Sequence, residues 1–195
     1  MDNSSPIGFS HAAFEHKPYP HFCVTSIFKD GLEHQLFNWL EQTADWSLTE
    51  TEFYEQYEFS LLDVNLPDSL KFLVDISITK KIEAEFKKSF GTNSLQLVGI
   101  TAHKLTDGQR IGVHNDFIDG EETHRLVIHL NPGWTEEKGG YLMLFNSSSS
   151  EDVSKVIKPL NNSGFGFEIS KNSHHAISKI HDFTRYSLVY TFKEV

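Results

Sequence analysis

From residue 95 to its end the chain is a succession of short strand-forming runs, and this pattern limits the possible folds more than any other feature. Runs at 95–105, 110–114, 125–131, 141–145, 153–157, 165–169, 175–180 and 186–192 are rich in branched and aromatic residues and are punctuated by Gly, Asn, Pro and Ser. No long helical period interrupts them, which argues against the strand–helix alternation of a parallel sheet. Eight strands of this length suggest a double-sheet jelly roll. The expected fold is mainly β with flanking helices: a double-stranded β-helix over 95–195, supported by two N-terminal helices, in one domain.

The first half reads as the support. Residues 1–20, with Pro6, Pro18 and Pro20, form an arm lying on the domain or loosely ordered, and His11, His16 and His21 are given surface roles there. Asp30 followed by Glu33 is a capping signature, and Leu32, Leu36, Trp39 and Leu40 recur at helical spacing to a helix end near Asp45. Aromatic residues at Phe53, Tyr54, Tyr57 and Phe59 mark one or two strands. A second helix is expected from Pro67 through Leu70, Leu73, Ile82 and Phe86, stopped by Gly91.

A formal charge of −10 argues against an electrostatic grip on nucleic acid or an anionic membrane, so neither is expected as a partner. The single Cys23 excludes an internal disulfide framework and points to a reducing, cytoplasmic setting. No apolar run approaches the roughly 20 residues of a membrane span.

Chemistry concentrates in two stretches. Side chains two apart on an extended segment share a face, so His114 and Asp116 can grip one ion. An imidazole and a carboxylate suit borderline divalent iron, and a third ligand would complete a 2-His-1-carboxylate facial triad with open positions for co-substrate and dioxygen. A His-x-Asp alone is also what a polar turn looks like. The far stretch adds His174 and His175, either of which could be the third ligand, and Arg185, whose guanidinium fork beside Ser187 can grip a dicarboxylate such as 2-oxoglutarate. Together they read as a non-haem Fe(II) oxygenase.

In order and spacing, Gly108 with His114-Asn115-Asp116, the run 125–131 with Pro132-Gly133-Trp134, Gly139-Gly140 before 141–145, His175-Ala176-Ile177 and Arg185-Tyr186-Ser187 resemble the 2-oxoglutarate/Fe(II)-dependent dioxygenases, most of all their prolyl-hydroxylase-like branch. The resemblance spans about half the chain, 97–192. It selects His175 over His174, because Ile177 and Arg185 follow at the family's intervals. It implies Fe(II) on His114, Asp116 and His175, with 2-oxoglutarate chelating the metal and anchored by Arg185.

It further implies that dioxygen is consumed, 2-oxoglutarate is decarboxylated to succinate and an unactivated C–H bond is hydroxylated, with ascorbate as reductant. His129 stands where the branch often has a tyrosine that bonds the far carboxylate of 2-oxoglutarate. Leu105 and Ile111 replace other frequent aromatics, and His103 is expected to line the pocket instead. Arg125 and His124 read as a solvated strand end, or as contacts to a substrate. Gly139-Gly140 reads as a turn with positive φ. The substrate expected from the resemblance is a residue within a peptide. A free amino acid or other small metabolite is the alternative, and a non-catalytic metal- or ligand-binding jelly roll is the reading from another class.

Overall fold

The computed structural model describes residues 5–43, 45–51 and 54–195. Phe53, read from sequence as part of a strand, lies outside the described residues. In chain order the elements are β1 (Ala13–Glu15), β2 (His21–Thr25), α1 (Leu32–Gln42), β3 (Ser47–Glu50), β4 (Glu55–Ser60), a 3-10 segment (Asp68–Val74), α2 (Ile76–Phe90) and β5 (Leu95–Leu105). There follow β6 (Ile111–His114), β7 (His124–His129), a short 3-10 turn (Glu136–Lys138), β8 (Leu142–Phe145), β9 (Val153–Ile157), β10 (Ser163–Glu168), β11 (His175–Ile177) and β12 (Arg185–Glu194).

The eight runs after residue 94 form β5 to β12, and they divide into two sheets as a jelly roll requires. The small sheet has the order β6-β11-β8-β9, while the large one runs β1-β2-β10-β7-β12-β5-β4-β3. Strands from the first half therefore lengthen the large sheet at both edges, and the arm joins it through β1, which pairs with β2 as β2 pairs with β10.

Alternation along β12 shows how the sheet separates two jobs. Leu188, Tyr190 and Phe192 point to one face, where they join Leu126 and Ile128 of β7, Leu36 and Leu40 of α1, and Ile82 and Phe86 of α2 in the main core. Arg185, Ser187, Val189 and Thr191 point to the other face, toward the small sheet. A second core of Leu105, Leu142, Leu144, Phe165, Phe167 and Ile177 fills part of the space between the sheets. The helices thus clamp the back of the large sheet and leave its front for a site.

Three local expectations are corrected. Asp30 and Glu33 make no capping box: Gly31 is the N-cap at φ 75°, with no side-chain cap bond. The second helix is broken at Asp75, which is extended and caps α2 by accepting the Ser77 N–H at 2.8 Å; Pro67 opens only the preceding 3-10 segment. His21 is fully buried, its Nδ1 2.8 Å from the Tyr19 carbonyl, because it belongs to β2 and not to a surface arm. Among the described residues no helix is long and apolar enough to cross a membrane.

Candidate metal centre and its cavity

A cavity of about 260 Å³ lies between the sheets, walled by β4, β5, β7 and β12 on one side and β6, β8 and β11 on the other. His114 at the end of β6 is in register with His175 on β11, so both imidazoles leave the same face of the small sheet, their centroids 4.2 Å apart. Asp116 joins them by a turn and not, as the extended reading supposed, by strand alternation. β6 ends at His114; the Asn115 side chain then accepts the Phe117 N–H at 3.1 Å and donates to the Lys171 carbonyl at 3.1 Å. Asp116 takes φ 59°, a left-handed conformation that Asp tolerates better than most residues. One ligand atom from each of the three residues lies within 4.8 Å of the others.

The protons in this cluster indicate what it can hold. Nδ1 of His114 is 2.9 Å from the Gly112 carbonyl, and Nδ1 of His175 is 2.8 Å from the Ser173 carbonyl. Carbonyls only accept, so each Nδ1 carries a hydrogen, and a neutral ring then presents a bare Nε2. Burial and the neighbouring His114 push the His175 pKa down, against the opposing pull of Asp116, which favours the neutral ring. Both Nε2 atoms face the Asp116 carboxylate, at 3.4 Å for His114 and 3.3 Å for His175. Lone pairs facing a carboxylate are stable only around a positive species, and two imidazoles with one carboxylate are a donor set for a divalent transition metal. The residues fit Fe(II).

Arg185 lies across the cavity on β12, and 4% of it is exposed. Among the described residues its hydrogen bonds all go to neutral groups: Nε donates to the Gly140 carbonyl at 3.1 Å, one terminal nitrogen to Ser187 Oγ at 3.4 Å and the other to His129 Nδ1 at 3.3 Å. Burial without a counter-ion pushes its pKa down to about 10. Gly140 has φ 69°, and a Cβ there would come within 3.1 Å of Arg185 Cδ, so the glycine turn also makes room for the guanidinium.

His129 does not line the cavity. It is in register with Ser187, fully buried behind Arg185, and accepts from the guanidinium, so its contact is with the arginine and not with the co-substrate site. Its Nε2 has no partner among the described residues. His103 does line the cavity, in register with Ser187 and with Glu58. Burial, with Arg125 and Arg185 nearby, pushes its pKa down to about 3. His174 falls outside both cluster and cavity.

Arg125 is not a solvated strand end. It donates to Asp116 Oδ2 at 2.7 Å and pairs with Glu122, fixing the carboxylate of the cluster from behind. Burial alone would raise the Asp116 carboxyl, but the Arg125 charge and the two neighbouring imidazoles outweigh it and hold the carboxyl well below its usual range. His124 is packed against Phe86 and Phe90, and burial lowers its pKa to about 4. Sequence reasoning missed Tyr54, Gln56 and Glu58, which line the cavity from β4 and the residue before it. Only alternation along that strand could have grouped Gln56 with Glu58.

The profile of the 2OG-Fe(II) oxygenase superfamily matches residues 100–193, a segment that includes every member of the cluster and Arg185. Over this segment, just under half of the chain, the sequence matches the 2OG-Fe(II) oxygenase superfamily. Among solved structures, a prolyl-4-hydroxylase from Pseudomonas putida aligns at TM-score 0.73 and 15% identity, covering 90% of this chain and 92% of its own. A prolyl hydroxylase from Trichoplax adhaerens, in complex with a hypoxia inducible factor oxygen degradation domain peptide fragment, aligns at 0.74 and 14% over 89% and 83%. HygX from Streptomyces hygroscopicus, with nickel and 2-oxoglutarate bound, aligns at 0.62 and 10% over 90% and 83%. These likenesses establish the shared fold. No curated protein matches the sequence. In a 2OG-Fe(II) oxygenase the distribution of charge across this cavity, the three-residue cluster at one side and the Arg185 guanidinium at the other, has a direct use.

Proposed function

We propose that this oxygenase hydroxylates an unactivated C–H bond, with a residue of a peptide as substrate, in a cytoplasmic setting consistent with its single Cys23. His114, Asp116 and His175 would hold Fe(II), and Arg185 with Ser187 would hold the far carboxylate of 2-oxoglutarate. The observation that carries this reading is the buried Arg185, a cation with no carboxylate partner among the described residues, across one cavity from the three-residue cluster. A buried charge with only neutral contacts is costly, and a dicarboxylate would supply the missing anion through paired N–H···O bonds.

With iron and 2-oxoglutarate bound, the metal and co-substrate supply the oxidation of substrate by dioxygen, with release of succinate and carbon dioxide. The protein supplies position. The backbone carbonyls at Gly112 and Ser173 fix both imidazole tautomers, Arg125 fixes the Asp116 carboxylate, and His129 and Gly140 fix the guanidinium. Val127, Leu142, Ile177 and Val189 keep part of the wall apolar, which limits water beside the reacting centre. The peptide reading draws support from the peptide-bound Trichoplax adhaerens neighbour.

Purified protein given Fe(II), ascorbate and 2-oxoglutarate is expected to release succinate slowly without added substrate. His175→Ala is expected to abolish iron binding, measured by metal analysis after dialysis, while His174→Ala retains it. Iron loss in the His174 variant alone would reverse the ligand assignment, and no succinate from iron-loaded wild type would refute the oxygenase reading.

A further inference from the structure

Building on that reading of the same site, we propose that the substrate presents a cationic hydrogen-bond donor, an ammonium or guanidinium, to Gln56 and Glu58 on β4. The two are alternate residues of one strand and both line the cavity. Glu58 Oε1 accepts from the Thr49 hydroxyl at 2.9 Å, and Oε2 accepts from Gln56 Nε2 at 2.8 Å. Turning the Gln56 amide over would set its oxygen against the carboxylate, so the amide is held with Oε1 free to accept. Gln56 is 4% exposed, and its buried Oε1 has no donor among the described residues. One wall therefore offers a carboxylate beside an unmet acceptor, and both call for N–H groups.

The charge balance points the same way. Among the described residues, the cavity is lined by the carboxylates of Asp116, Glu58 and Glu122 and by two guanidiniums, and by no lysine. Arg125 is spent between Asp116 and Glu122. Arg185 lies beyond His103 in the large sheet and faces the co-substrate side. His103, whose Nε2 is 3.8 Å from Glu58, is the titratable neighbour on the adjoining strand, and it is held neutral. A divalent metal and a dicarboxylate add charges that cancel, so one negative charge remains, at Glu58. An open groove of about 510 Å³ shares Glu58 and Thr101 with the cavity and adds Asp45 and Asp63 but no basic residue. A substrate chain extending over this groove would meet further carboxylates.

The source of such a group can be a basic residue in a peptide or a free basic amino acid, and matched probes separate them. Wild-type protein loaded with Mn(II) and 2-oxoglutarate is titrated calorimetrically with N-acetyl-arginine amide against N-acetyl-citrulline amide, and with free arginine against free citrulline. The cationic member of at least one pair is expected to bind about tenfold tighter or better, with the preference shrinking as salt is raised. Preference in the capped pair identifies a peptide source, and preference in the free pair identifies an amino acid. Folded Glu58→Gln, checked by circular dichroism, is expected to lose the discrimination. Equal affinities within both pairs, no detectable binding by any probe, or discrimination persisting in Glu58→Gln would overturn the proposal. If 2-oxoglutarate itself fails to bind the metal-loaded protein, the oxygenase reading fails instead.

Discussion

Among the described residues Arg185 makes three hydrogen bonds, all to neutral acceptors, so its charge is available to a bound dicarboxylate. Arg185→Met keeps much of the buried volume and removes the fork. The variant is expected to raise the concentration of 2-oxoglutarate needed for half-saturation on the order of 10²-fold, the cost of a lost buried charge-assisted pair. Metal affinity should be unchanged, since Arg185 lies on the opposite sheet. Parallel titrations of metal and 2-oxoglutarate check both, and an unaltered 2-oxoglutarate requirement would rule out the clamp. At this scale the sequence picked out His114, Asp116, His175 and Arg185, which the fold brings to one cavity, because the residue types that the proposed metal and dicarboxylate would need stand at readable intervals. It did not expose Arg125, whose partners are Asp116 and Glu122 only after a turn has reversed the chain. Gln56 and Glu58 were hidden for a different reason: they reach the cavity from a strand that pairs beside β5, and nothing local in a strand announces its neighbour.

The strands were legible because period-two alternation and turn residues act locally, and β5 to β12 fall close to the runs read from sequence. The helix starts were less so. The Asp30–Glu33 pattern is a capping box in the absence of other demands, but here both Asp30 and Gly31 take positive φ and the chain enters α1 without it. Just before them Phe28 and Lys29 are held by distant segments, their N–H groups donating to Asn162 Oδ1 at 2.8 Å and to the Pro6 carbonyl at 3.0 Å. The same kind of contact ties α2 to the large sheet: Glu83, with 6% of its side chain exposed, pairs with Lys80 at 2.6 Å and Lys87 at 2.9 Å and accepts the Leu95 N–H at 3.3 Å. The Lys80 hydrogen bond, helped by Lys87 and Leu95 against burial, lowers its pKa to about 2. A depressed carboxyl stabilises the fold above its ordinary value of 4.5, and that contribution fades as pH falls from there toward about 2. Glu83→Gln is expected to cost about 1–3 kcal/mol at pH 7 and to narrow the difference in stability between pH 7 and pH 3. Urea unfolding at both pH values measures it, and a variant with the wild-type pH dependence would exclude Glu83 as the acid-sensitive tie.

In the whole molecule the two sheets bring different parts of one site, with His114 and His175 on the small sheet and Arg185 on the large. A co-substrate that touches both a metal on the small sheet and Arg185 on the large sheet would cross-link them, so its binding should stabilise the fold only when the metal is present. Ligand at about a hundred times its dissociation constant contributes roughly 2.7 kcal/mol. For a chain of 195 residues each kcal/mol moves the midpoint by about 2–4 °C, which gives a shift of about 5–10 °C. Thermal unfolding with Mn(II), with 2-oxoglutarate and with both is therefore expected to show a combined shift larger than the sum of the separate ones. Arg185→Met should keep the metal shift and lose the increment from 2-oxoglutarate, while His175→Ala should lose both. A 2-oxoglutarate shift of equal size with and without metal would mean that the diacid binds Arg185 alone, and the bridge between the sheets would have to be abandoned.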